Sequence, residues 1–98
     1  MYVDFSRRQK RYMPVKLSNG MKLDIEEPNM QIFQNLQKIE ETKKVKDLVS
    51  EVRHIMSRNR QKKKFSNEEI AMMFTVDDMV LLLESYANFA RGIQNDPN

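Results

Sequence analysis

The side chains able to do chemistry are few, and their spacing is poor for it. His54 is the only histidine in the chain. It stands beside Arg53 on a stretch of helical periodicity. A general base needs a partner, and a zinc site needs three or four ligands, so a lone imidazole supplies at most one of them. His54 therefore reads as a boundary residue on a helix. The acidic pairs Glu26-Glu27, Glu40-Glu41, Glu68-Glu69 and Asp77-Asp78 are adjacent in sequence. Neighbours on a helix point about 100° apart, so they do not converge as a catalytic dyad does. The two glycines are too few for a phosphate-cradling loop, and there is no cysteine for thiolate or disulfide chemistry. The sequence predicts no enzymatic activity, no cofactor and no metal.

Charge is the other candidate. The formal net charge is +3, gathered into two basic clusters: Arg7, Arg8, Lys10 and Arg11, then Arg58, Arg60, Lys62, Lys63 and Lys64. Each could hold phosphates. Charge runs are more often solvated segments, here a frayed terminus and an inter-helix loop. Neither cluster has the interleaved aromatics on which single-stranded nucleic acid stacks, so nucleic acid is not the expected partner.

The elements that carry these residues follow from periodicity. Residues 1–11 are polar and unpatterned and read as a flexible basic arm; residues 12–98 read as a single helical domain. Met13 to Ile25 alternates apolar and polar residues on both sides of Asn19-Gly20, which predicts a β-hairpin over 13–26 with a type I′ turn. Val15, Leu17, Met21, Leu23 and Ile25 then share one face. A lone hairpin is marginal in water, so it must dock on helices or pair with another subunit through its edges. Apolar stripes at helical spacing predict helices over about 29–42, 45–58, 66–74 and 76–93. Ser66-Asn67-Glu68-Glu69 and Thr75-Val76-Asp77-Asp78 read as the N-terminal caps of the last two. The expected fold is mainly α: a small bundle of about four helices with an N-terminal β-hairpin.

With 98 residues, 40% hydrophobic and 32% charged, the chain fits one soluble domain. No unbroken apolar run is longer than Met79 to Leu83, far short of the ~20 residues that span a bilayer. No membrane partner and no secretory leader are expected, which points to an intracellular protein.

The fourth helix has more apolar surface than one face can use. Met79, Leu82, Leu83, Tyr86, Phe89, Ala90 and Ile93 make the stripe, and Val80, Leu81 and Ala87 extend it. Met72, Met73 and Met79 gather where the third and fourth helices meet, and methionine suits surfaces that must adapt to a partner. Two readings stand side by side: these residues fill the bundle core, or Met72, Met73, Val76, Met79, Val80, Leu81 and Leu83 line a groove for a helical partner. Self-association into a homo-oligomer through the same surplus is expected.

The order of segments adds to this. A strand–Asn-Gly–strand element (VKLSNGMKLDIEEP) comes first. Two amphipathic helices follow, then a basic loop and a capped short helix (NRQKKKFSNEEIAMMF). The chain ends in an acidic-capped long helix with its polar tail (VDDMVLLLESYANFARGIQNDPN). Over residues 13–98 this layout resembles the tail assembly chaperones of long-tailed phages and prophages of Gram-positive bacteria. The resemblance implies a non-enzymatic factor in the host bacterial cytoplasm that coats the tape-measure protein, brings tail-tube subunits to it and is absent from the mature virion. Two other classes stay open. One is a small helical nucleic-acid-binding regulator, favoured by a pI of 9.3; the other is a structural head–tail joining protein that persists in the virion.

Overall fold

The computed structural model describes residue 4 and residues 10–42 and 45–92, with the backbone alone for 39–42, 45 and 46. Two strands, β1 (Tyr12–Lys16) and β2 (Lys22–Glu26), precede four helices: α1 (Met30–Thr42), α2 (Val45–Met56), α3 (Asn67–Met73) and α4 (Val76–Ala90). A helical bundle with an N-terminal hairpin is thus what the chain forms. Arg7, Arg8 and Ile93 lie outside the described residues.

β1 and β2 pair antiparallel, with Tyr12 opposite Glu26 and Lys16 opposite Lys22. Leu17 and Met21 close the ladder through the Leu17 N–H, which donates to Met21 O at 2.8 Å. The loop is therefore three residues, Ser18-Asn19-Gly20. Gly20 N–H donates to Leu17 O, and only Gly20 takes a positive φ, at +91°. This corrects the type I′ expectation, which needs positive φ at Asn19 as well. The geometry is that of a three-residue hairpin, in which a turn is followed by a glycine bulge. Asn19 instead accepts the Met21 N–H on its side chain, at 2.9 Å.

Leu17, Leu23 and Ile25 are buried, with Met13 and Val15 packed beside them. Met21, at the end of the ladder, is exposed. Ile25, Ile32, Val52, Ile55, Met56, Ile70 and Tyr86 form the fully enclosed centre. The hairpin therefore docks on the helices as its one apolar face requires.

The hairpin edges differ from expectation. Backbone after α2 runs along the outer edge of β2: Glu26 N–H donates to Arg58 O and Arg60 N–H to Asp24 O, both at 2.9 Å, with Ile25 bridged to Asn59. The Asp24 N–H is taken by Gln61 Oε1 at 3.0 Å. Counting outward from the bonded Leu17–Met21 pair, Pro14 falls in a non-hydrogen-bonded pair, so its missing N–H lies on the outer edge of β1. One edge is covered and the other blunted, so pairing between subunits through this hairpin is disfavoured.

The helix starts follow local sequence. Asn29 accepts the Ile32 N–H at 2.9 Å and so caps α1. Ser66 with Glu69, and Thr75 with Asp78, form reciprocal capping boxes on α3 and α4. At the other end of α4, Gly92 takes a φ of +66°, the left-handed position where a helix stops. Arg11, expected in a flexible arm, is docked here. Its guanidinium donates to Phe89 O at 3.0 Å and lies 4.5 Å from the Phe89 ring centroid, beside Glu27 at 3.7 Å. A cation on the last carbonyls complements the helix dipole.

Two buried positions are polar, Asn59 in the loop after α2 and Glu51. Glu51 on α2 is only 7% exposed, and its Oε2 is buried without a hydrogen-bond partner. Burial raises its pKa above the ordinary 4.5, against a smaller opposing pull from Arg53. An acid whose folded pKa is raised favours folding most below its unfolded pKa, and that contribution is lost as pH rises through the folded value. Glu51→Gln should therefore raise stability at pH 7 by about 1 kcal/mol. It should also flatten the fall in stability as pH rises above the ordinary carboxyl pKa of 4.5, read by urea unfolding of both proteins. A variant less stable than the parent at pH 7 would show that the carboxylate has a favourable partner.

Candidate functional site

The seven residues of the expected groove do not converge. Met79 is 3% exposed and Leu83 is buried with it in the core, so neither is available to a ligand. Met72 projects from α3 at 87% exposure, and Val76, Val80 and Leu81 are exposed on α4, Leu81 at 63%. Val76 and Val80 are one turn apart on one side of α4, and Leu81 points about 100° away from Val80. Met73 is half-buried against the core.

A groove does exist at the α3–α4 junction, and the hairpin makes its other wall. It encloses about 220 Å³ and is lined by Val15 and Leu17 from the hairpin, Met73 and Phe74 from the end of α3, and Leu81 and Leu82 from α4. Lys16, Ser18 and Asp78 also line it. Of the expected set, the fold brings Met73 and Leu81 together. The expected set lacked Phe74 and Leu82 from the helices, and Val15 and Leu17, which the hairpin brings to this place only through tertiary packing.

The second basic cluster is a structured loop. Asn59 is its centre: its buried amide Nδ2 donates to Met56 O and to Lys63 O, each at 2.6 Å. Its Oδ1 accepts the Lys63 N–H at 2.8 Å. Gln61 clasps Asp24 twice, accepting from its N–H and donating to its Oδ2 at 2.9 Å. Lys62, held between them, has a φ of +62° and is the only non-glycine with positive φ among the described residues.

Arg58 is turned inward. It donates to Glu27 O at 2.9 Å and to Tyr86 Oη at 3.4 Å, and pairs with Glu26 at 3.6 Å. Tyr86, fully buried, donates to Glu26 O at 2.5 Å. Burial pushes its phenol pKa up, so it stays a donor. The Arg60 guanidinium lies over Tyr12, 5.2 Å from the ring centroid. Lys63 lies over Phe65 at 5.7 Å, and Lys64 Nζ donates to Ser57 O at 3.4 Å.

Arg58, Arg60, Lys62 and Lys64 line one open cleft of about 510 Å³, together with Tyr12 and Glu26. Lys10 joins them from the first basic cluster, so the fold brings cations from both clusters to one place. Lys63 is not among the lining residues. His54 is exposed on α2. Among the described residues no group of three His, Asp or Glu could hold a metal, and no helix is long and apolar enough to cross a membrane.

The chain thus offers two surfaces of different chemistry, an apolar groove at the hairpin and the α3–α4 junction, and a basic cleft beside the start of β1. No protein-family model matches this chain, and no curated protein or solved structure matches it.

Proposed function

We propose that this chain is a non-enzymatic assembly factor that binds a helical partner in the groove between the hairpin and the α3–α4 junction. The observation that carries this reading is the apolar lining of that groove, Val15, Leu17, Met73, Phe74, Leu81 and Leu82, with Leu81 63% exposed at its rim. Large apolar side chains left in water around a concavity mark a protein interface more often than chance exposure does. Helix-in-groove recognition uses such a trough, and methionines let it accept variation along a repetitive ligand. The resemblance to tail assembly chaperones gives the partner its identity: a tape-measure protein, to which tail-tube subunits are then brought. The work would be done in the host bacterial cytoplasm, and the mature virion would lack this protein. Val76, Val80 and Leu81 would also serve contacts between copies in a homo-oligomer.

Capture of tape-measure fragments by the purified protein tests this. Leu81→Glu changes an exposed position on the rim of the groove, so the fold should survive. Binding should weaken by at least tenfold, the loss of buried apolar contacts and the desolvation of one carboxylate. Undiminished capture by the folded Leu81→Glu variant would remove this groove from consideration. Failure of the unmodified protein to capture any fragment would overturn the functional reading, and its presence in purified virions would favour a structural joining role.

A further inference from the structure

We infer that the basic cleft beside the start of β1 is a binding site for a phosphate-bearing anion of oligophosphate size. Its lining holds five cations, Lys10, Arg58, Arg60, Lys62 and Lys64, against the single carboxylate of Glu26, which leaves a formal +4. The whole chain carries only +3. This cleft thus gathers more positive charge than the whole chain carries net, and its low-dielectric walls focus the field. Glu26 is already paired with Arg58. Arg60 rests on an aromatic ring and Lys64 on a backbone carbonyl, contacts that hold a cation in position without neutralising it.

The loop that presents these cations is built rather than slack. Asn59 closes it with three hydrogen bonds and Gln61 fastens it to Asp24 with two. Lys62 is held in a backbone conformation that glycine takes freely and lysine takes at a cost. Its side chain is exposed, so packing does not explain a lysine there. Strain kept at an exposed charged residue points to use of that charge.

The shape selects the ligand class. A cleft of about 510 Å³ falls in the size range of small-molecule sites. An oligophosphate concentrates several negative charges within such a space. An acidic helix spreads its carboxylates along a rod about 10 Å across and would use only a fraction of them here. The Arg60 guanidinium fork and the lysine point charges together suit phosphate oxygens. This inference uses none of the residues of the apolar groove, so the two readings stand or fall separately.

Titration of the full chain with inorganic tripolyphosphate at low salt, followed by amide chemical shifts, tests the site. Saturable one-to-one binding is expected, with shifts confined to residues 10–12, 26 and 57–64. Arg60→Gln with Lys62→Gly should weaken it at least tenfold. The glycine suits the φ at position 62, so an unchanged thermal melt should accompany the loss. ATP and a short single-stranded oligonucleotide, as parallel ligands, distinguish the source of the phosphate. Tighter binding of the oligonucleotide with a steep salt slope assigns the site to a nucleic-acid backbone, and preference for ATP or tripolyphosphate assigns it to a free anion. Poly-glutamate binding as tightly as tripolyphosphate would overturn the phosphate assignment in favour of an acidic polypeptide. Absence of saturation at millimolar tripolyphosphate, or full affinity in the double variant, would overturn the site.

Discussion

Met79→Asp will abolish the fold, while Leu81→Glu, two residues along the same helix, will leave it intact. Met79 is 3% exposed among the residues of the core, and Leu81 is 63% exposed on the rim of the groove. Truncating a buried methionine costs about 2–5 kcal/mol, and a carboxylate in its place must be desolvated or protonated at further cost. A domain of this size is stable by only about 5–15 kcal/mol, so the sum leaves little or nothing. Leu81→Glu removes no buried contact and should change stability by about 0.5 kcal/mol or less. Far-UV circular dichroism with a thermal melt reads both. A cooperative Met79→Asp melt near that of the parent would mean that α4 packs in a different rotational phase, and the groove would then have to be reassigned as well. The contrast also sets which substitutions can test partner binding, because a residue that holds the core cannot report on a surface.

What the sequence made legible was local. The capping boxes at Ser66 and Thr75 were readable because all their atoms lie within one turn. The hairpin was readable from Asn19-Gly20, but its turn type was not. Asn-Gly serves both a two-residue turn and a glycine bulge, and the choice was made by Leu17 and Met21 pairing across the end. The apolar surplus of α4 was visible as a surplus. Which residues would carry it was not, because in the unbroken run Met79 to Leu83 every phase of the helical wheel finds apolar residues to bury. The covered edge of β2 had no local signal at all. It depends on Asp24 meeting Gln61, 37 positions away, and on a basic loop that composition alone described as solvated. Arg11 was hidden in the same way, since its partner Phe89 is 78 positions distant.

Asn59 is the residue through which that unreadable part of the fold is held, and Asn59→Ala should cost about 3 kcal/mol. Three hydrogen bonds end on its buried amide. Removing it strands the Lys63 N–H and two carbonyls, each worth about 1–3 kcal/mol when left buried and unpaired, partly recovered as water enters the loosened loop. For a chain of this length the melting temperature should drop by more than about 10 °C. Asn59→Asp should do at least as much harm at pH 7, because it keeps the acceptor for the Lys63 N–H but turns negative oxygen toward Met56 O and Lys63 O. The damage should be directional. The amides of Asp24 and Glu26 donate to Gln61 and Arg58 on either side of Asn59, so their hydrogen exchange should accelerate more than that of the buried α4 amides. If both variants melt within about 2 °C of the parent, Asn59 does not organise the loop, and the left-handed Lys62 must be held by Gln61 and its neighbours alone. If the melt falls but Asp24 and Glu26 exchange no faster than the core, the loop and the bundle are one cooperative unit, and the cations of the cleft are then as rigid as the core beneath them.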